Sequence, residues 1–421
     1  MIGRKKVLML GWEYPPFLTG GLGTACHGLA NALKEYVDLT MIIPKYDQAY
    51  VDAKLNILGL NKFESTFLEQ NKPEPTFRTF FIEAGIDFSP YPVGIAFEVT
   101  EDVTPIDERK ALFGSDEPYG PQILAKVHRY REMVLELASS LDFDIIHAHD
   151  WLTFPAALAL KELTGKPLVV HIHSLETDRI GEHHDFSGNA VFEIERSAMQ
   201  QADRIVPVSE FTKKCAIRNY GIQSAKFFPV YNAMEETVPY KLGKEGDDKL
   251  VLFLGRITFQ KGPEFMVETA HKLTSKYKKV KFVVAGTGDK LAQLQAMVSQ
   301  RGLDERFIFT GFLPKSAVRD VLAQTDVYFM PSVSEPFGLS ALEAAQFDVP
   351  CIVSTQSGVS EVLPNSLQAD FWDTDKFANY IFALLNYQGL RQDVIDNTKQ
   401  DITTLTWDES AKDVMLVYQG L

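Results

Sequence analysis

Twice along the chain, short β-branched and apolar runs alternate with amphipathic stretches of ten or more residues, the pattern of parallel sheets covered by helices. In the first half the runs are Val7 to Leu10, Leu39 to Ile43, Ile145 to His149, Leu168 to His173 and Arg204 to Val208. They are nearly continuous in apolar character, as strands buried on both faces are. Asn232 to Asp248, with Pro239, Gly243, Gly246 and the polar run Lys244 to Lys249, breaks the periodicity and reads as a linker. The alternation then restarts at Leu250 to Leu254, Val280 to Ala285, Phe307 to Thr310, Val327 to Met330 and Pro350 to Ser354. The expected fold class is therefore α/β, with two doubly wound Rossmann-like domains, 1–235 and 249–395, facing across a cleft. Residues 50–120, rich in Pro, Phe and acidic side chains, are expected to hold mixed strands and long loops. At the C-terminus, Thr406 and Glu409 form a capping-box pattern ahead of the stripe Trp407, Ala411, Val414, Met415 and Tyr418. A helix over 406–421 needs a surface to bury that stripe.

The 421 residues, at about 150 per domain, suit two large domains or three small ones. A net charge of -14 disfavours a sequence-independent grip on nucleic acid or on an anionic membrane, so an anionic ligand requires a local basic pocket. Cys26, Cys215 and Cys351 are far apart and in no metal-ligand spacing, which fits a reducing compartment and a fold without disulfides. Arg4, Lys5 and Lys6 precede only Val7 to Leu10 before Gly11, too short for a signal-peptide core. No run approaches the ~18 apolar residues of a membrane helix. The expected location is cytoplasmic.

Five motifs carry candidate chemistry. Thr19-Gly20-Gly21-Leu22-Gly23 follows the first strand and opens a helical stretch, where backbone N–H groups and the helix dipole favour an anion; a plain tight turn is the alternative. Dinucleotide binding is disfavoured, because Gly21-x-Gly23-x-x-Cys26 lacks the third glycine and the second strand ends at Ile43-Pro44-Lys45 without a ribose-binding acid. Six of the nine histidines lie between 147 and 184, with His147-Ala-His149-Asp150-Trp151 and His171-Ile-His173 at two strand ends. Period-two alternation points each pair to one side of its strand. His147 and His171, deeper in their strands, are expected to be structural, and His149, Asp150 and His173 functional. A metal role lacks carboxylate or cysteine completion at motif spacing, so no metal is expected, although a metal hydrolase remains a rival reading.

In the second half, Gly255-Arg256-Ile-Thr-Phe-Gln-Lys261-Gly262 sets two cations beside glycines at a strand-to-helix junction, which suits a diphosphate. A solvated basic turn is the alternative. Glu335 precedes a helix and Glu343 lies within it, where an unpaired carboxylate is costly, so Glu343 is expected to be bonded. Eight helical residues span ~12 Å, too far for the ~5 to 10 Å of a two-carboxylate hydrolase. Two carboxylates gripping different hydroxyls of one extended ligand, or Glu335 capping the helix, remain open.

Together, Gly20-Gly21-Leu22-Gly23, His-Ala-His-Asp150-Trp, Val-His-Ile-His173, Arg256 with Lys261, and Glu335-x7-Glu343 resemble retaining glycosyltransferases of the GT-B fold. The resemblance is to family 4 and the related bacterial and archaeal glycogen and starch synthases. It implies metal-independent transfer of a hexosyl, first a glucosyl, unit from a nucleotide diphosphate sugar to a carbohydrate hydroxyl. ADP- or UDP-glucose would be the co-substrate, with no bound cofactor, and an α-glucan the acceptor. By resemblance, Arg256 and Lys261 bind the diphosphate, and Glu335 with the backbone of Phe337, Gly338 and Leu339 holds the sugar and distal phosphate. Glu343 takes the ribose, and Gly21 brings its N–H to the phosphate. His173 lines the reacting sugar, and Asp150 positions acceptor or sugar. Glu176, Asp178 and Arg179 match a loop that shapes the acceptor pocket, or form a solvated charged loop. The C-terminal helix crosses back to the first domain.

The chain departs from ADP-glucose-dependent glycogen synthases at Leu18, where they carry lysine, and at Leu152, where they carry histidine. A transferase for a surface polysaccharide or small glycoside, and a non-catalytic sugar-binding relative, are the alternatives. The oligomeric state is not legible.

Overall fold

The computed structural model describes residues 4–17, 20–46, 55–70, 111–114, 119–120, 122–243 and 246–421. Leu18 and most of 50–120 lie outside the described residues; within 55–70 stand a strand, Asn56–Gly59, and a helix, Glu64–Gln70.

The chain divides into two units, Met1–Val208 with Thr212–Ala233 and Trp407–Leu421, and Ser209–Phe211 with Met234–Thr406. In the first, β1 (Lys6–Leu10), β2 (Asp38–Ile43), β3 (Asn56–Gly59), β4 (Ile145–His149), β5 (Leu168–Ile172) and β6 (Arg204–Pro207) form one parallel sheet ordered β3-β2-β1-β4-β5-β6. In the second, β7 (Lys249–Leu254), β8 (Val280–Ala285), β9 (Phe307–Gly311), β10 (Val327–Met330), β11 (Cys351–Ser354) and β12 (Leu367–Ala369) are ordered β12-β11-β10-β7-β8-β9. Counted within each unit, both sheets run 3-2-1-4-5-6. This is the doubly wound order, whose ligand crevice opens where the order reverses, between the first and fourth strands. Those switch points are β1/β4 and β7/β10.

The sheets are two-sided, so their strands are apolar on both faces: β4, β5, β10 and β11 are buried at every residue. One core gathers Val7, Met9, Leu29, Met41 and Val169, the other Val251, Phe282, Phe329, Ile352 and Phe377. The helix Trp407–Gln419 belongs to the first unit, where it lays Ala411, Val414, Val417 and Tyr418 into that core. It approaches the helix Gly21–Leu33 at Gly28, where an added Cβ would stand 2.1 Å from the Trp407 ring. Only a residue without a side chain lets the two helices meet there.

The boundary between the units, at Ala233 and Met234, falls within the stretch 232–248, but the stretch after it is not a free linker. Residues from Met234 group with the second unit, because Tyr240 donates its hydroxyl to Asp320 at 2.7 Å and stacks edge-on against Phe347, while Lys241 Nζ donates to Phe347 O at 2.7 Å. Aromatic and lysine anchors bind an extended, helix-poor segment that periodicity alone marks as free. The second unit likewise continues beyond 395 to Thr406.

Candidate active site

At the β1/β4 switch point the pleat gathers the histidines. His147 and His149 are two residues apart on β4, His171 and His173 two apart on and just after β5, and His149 pairs with His171 across the strands. All four rings therefore rise from one face of the sheet. His147 and His149 stack at 4.7 Å and 6°, His171 and His173 at 4.5 Å and 10°, and His149 and His171 at 4.8 Å. Two in-plane bonds tie the column together: His147 Nε2 to His171 Nδ1 at 3.2 Å and His149 Nδ1 to His173 Nε2 at 2.9 Å. Tyr418 of the C-terminal helix reaches His147 Nδ1 with its hydroxyl. Burial drives all four imidazoles toward the neutral form, His147 and His173 down to about 3. His173 thus stands in the site as a neutral ring.

Asp150, directly after β4, has φ 58, a left-handed backbone that a non-glycine residue rarely adopts. That conformation turns its carboxylate back over β5, where Oδ1 accepts the N–H of His173 at 2.7 Å and of Ser174 at 3.4 Å. Asp150 fixes the main chain at His173. Burial raises its carboxyl to about 7 against those N–H donors and the charge of Arg179.

Glu176, Asp178 and Arg179 are neither a solvated loop nor exposed acceptor contacts, since all three are buried. Arg179 donates Nε to Glu176 at 2.8 Å, a second nitrogen to Ser174 Oγ at 2.7 Å and a third to Glu195. Glu195 also accepts the Glu176 N–H at 2.9 Å and the Tyr220 hydroxyl, while Asp178 accepts the Leu175 N–H at 2.9 Å. The charges hold the chain that follows His173 in place. Glu195 and Tyr220 were missed in the sequence because they lie 16 or more residues away on other helices. Leu152, the other departure from the glycogen synthase pattern, is buried in the turn after β4.

The glycines of the first loop lead into the helix Gly21–Leu33, with Gly20 extended at its N-cap and giving no side-chain cap, and Gly21 is exposed in the first turn.

At the second switch point, the loop after β7 carries Arg256 and Lys261 and the loop after β10 carries Glu335. Lys261 Nζ pairs with Glu335 Oε2, which also takes Ser332 Oγ at 3.4 Å. Gln260 O accepts the N–H of Val333 at 2.9 Å, and the backbone of Glu335 bonds to Gln356 and Gly358 at 2.9 Å each. Three loops are therefore pinned to one another. Gly262 makes the turn behind Lys261 with φ +60, where a Cβ would meet Pro331 O at 2.3 Å. Arg256 is half-buried and its charge acts on Asp289.

Glu335 does not cap the helix Leu339–Gln346; Gly338 does, in left-handed conformation and without a side-chain bond. Phe337, at 3% exposure, is a packed side chain whose carbonyl accepts the Val359 N–H. Glu343 departs from expectation: among the described residues it has no hydrogen-bond partner, and burial raises its carboxyl against the charges of Lys315 and Arg319.

Each unit thus carries its candidate groups where a doubly wound sheet offers a ligand crevice. Residues 6–225 match the family described as starch synthase catalytic domain, and residues 234–401 match glycosyl transferases group 1. An uncharacterized glycosyltransferase of Methanocaldococcus jannaschii is 26% identical over 98% of both chains. A glycogen synthase of Mycobacterium tuberculosis is also 26% identical, over 86% of this chain and 80% of its own. HepE of Anabaena, solved with UDP and glucose, shares the fold at TM-score 0.66 and 14% identity, over 99% of this chain and all of its own. Among the described residues no helix is long and apolar enough to cross a membrane. The chain is a glycosyltransferase of the GT-B fold and belongs to the starch synthase catalytic domain family.

Proposed function

We propose that the chain is a retaining, metal-independent, family 4-type hexosyltransferase that moves a glucosyl unit from ADP- or UDP-glucose to an α-glucan hydroxyl in the cytoplasm. The observation that carries this reading is the pinning of Lys261 against Glu335 at the β7/β10 switch point, in the loop that also carries Arg256. Two cations and a carboxylate there match a ligand with a diphosphate at one end and sugar hydroxyls at the other. In this reading Arg256 and Lys261 stabilise the departing diphosphate, a preorganised electrostatic effect worth about 10²- to 10³-fold in turnover per donor removed. Glu335, with the backbone of Phe337, Gly338 and Leu339, holds the sugar and distal phosphate. Glu343, which has no hydrogen-bond partner among the described residues, takes the ribose hydroxyls, and Gly21 gives its N–H to the phosphate.

His173 is neutral, so its support for the developing positive charge comes from its carbonyl rather than its ring. Asp150 keeps that carbonyl in place, and Glu176, Asp178 and Arg179 shape the acceptor side through the backbone they hold. The glycogen synthase relative supports the glucan acceptor, and the UDP and glucose bound by HepE support the donor class. Three buried, unpaired cysteines suit a reducing compartment.

The test is proton NMR of the first product formed from each nucleotide glucose and a maltooligosaccharide, with and without chelator. An α-linked product and an unchanged rate in chelator are expected. A β-linked product would overturn retention, and loss of turnover to the chelator would overturn metal independence.

A further inference from the structure

Folding adds to the histidine column a residue that sequence spacing leaves far from it. Cys26, in the second turn of the helix Gly21–Leu33, is buried at 0% exposure, and its sulfur and one nitrogen each from His149 and His173 lie within 4.8 Å of one another. His149 spends Nδ1 on His173 and leaves Nε2 without a hydrogen-bond partner, although the residue is itself 0% exposed. His173 is partly exposed, so the cluster opens on one side. Burial, with the negative charge of Asp150 and Glu13, holds the Cys26 thiol well above its ordinary range, so it stays protonated until a cation displaces the proton.

We propose that Cys26, His149 and His173 form a binding site for a soft divalent cation of the Zn²⁺ class, and that its occupancy silences the enzyme by setting a second positive charge beside the His173 carbonyl that faces the reacting sugar. One sulfur and two imidazole nitrogens are the donor set that zinc prefers over magnesium or calcium, and three protein ligands leave a fourth position open. Bonds of about 2.0 to 2.3 Å keep tetrahedral ligand atoms roughly 3.3 to 3.8 Å apart, so the cluster closes on the ion by about 1 Å of side-chain rotation. Binding releases the thiol proton to solvent and breaks the hydrogen bond between His149 and His173, because each neutral ring has one lone pair and both are given to the ion; the neutral form is the one burial already favours. The neighbouring carboxylates offset the ion's charge. Only the silencing rests on the reading of His173 as a residue lining the reacting sugar; the site itself does not.

The test is a titration of the full chain with Co²⁺, whose bond to a thiolate gives a charge-transfer band in the near ultraviolet. A saturable band that Zn²⁺ displaces is expected in the wild type and in a Cys215→Ser, Cys351→Ser variant, and is expected to vanish in Cys26→Ser. His173→Asn, at a partly exposed position, is expected to weaken cobalt binding by at least roughly 100-fold and serves as the second variant should Cys26→Ser fold poorly. Absence of the band in the wild type, or its persistence in either ligand variant, would overturn the site. With the band established, zinc is expected to suppress transfer by the wild type and to suppress Cys26→Ser far less. Undiminished transfer by zinc-loaded protein would overturn the silencing alone, and stimulation by zinc would overturn the metal independence proposed above.

Discussion

Arg179 sits between two carboxylates with almost no water around it: its side chain and those of Glu176 and Glu195 are each 3% exposed or less. An ion cluster of this kind contributes little net stability over an apolar core of the same shape, but removing the cation alone strands two buried negative charges. Arg179→Met is therefore expected to lower unfolding free energy by about 3–5 kcal/mol in urea titrations, far more than any exposed pair such as Lys412 with Asp408. The sequence placed Glu176, Asp178 and Arg179 at the site but as acceptor contacts or solvated charges. Charge and local spacing do not say which way a side chain faces; Glu195 and Tyr220, which turn them inward, come from distant helices.

The histidine column belongs to the scale of β4 and β5. Period-two alternation was enough to put each pair on one side of its strand, and the parallel register of His149 with His171 stacks the pairs together. Its pH signature has a definite sign. Folding depresses His147 from its ordinary 6.5 to about 3, so below about 6.5 the unfolded chain takes a proton that the folded chain refuses, and stability falls with acidification. His147→Phe is expected to flatten the stability-versus-pH slope between pH 4 and 6 by roughly 1.4 kcal/mol per pH unit, measured as urea midpoints across that window. An unchanged slope would mean that His147 titrates in the folded state as freely as in the unfolded one. Asp150 and Glu195, both raised to about 7, act in the opposite direction and are common to both proteins, so the difference isolates the ring.

The helix Trp407–Gln419 makes a second prediction at this scale. With a Cβ at position 28 standing 2.1 Å from the Trp407 ring, Gly28→Val forces the helices apart at a cost of about 1–3 kcal/mol. Amide hydrogen exchange over 407–419 is expected to accelerate, and exchange in β7 to β10 to stay as in the wild type. The apolar stripe of this helix was legible from its spacing. The bond from Tyr418 to His147 was not, because it spans 271 residues.

At the scale of the whole molecule, two sheets of the same strand order carry the candidate groups of each unit in the loops after their strands. Strand positions, and the loops that carry Arg256, Lys261 and Glu335, followed from apolar runs and glycines. What escaped the sequence was which loops touch: Lys261 and Glu335 are 74 residues apart yet form one pair, while Glu343, expected to be bonded, has no partner among the described residues.

Calorimetric titration of UDP, ADP and the matching monophosphates into the wild type and Lys261→Gln tests the diphosphate site most directly, since glutamine keeps a hydrogen bond for Glu335 while removing the charge. One of the two diphosphates is expected to bind more tightly than its monophosphate, and Lys261→Gln to weaken it about 10- to 100-fold, the worth of a charge-assisted hydrogen bond. Equal affinity for mono- and diphosphate, or diphosphate binding untouched by Lys261→Gln, would contradict the account.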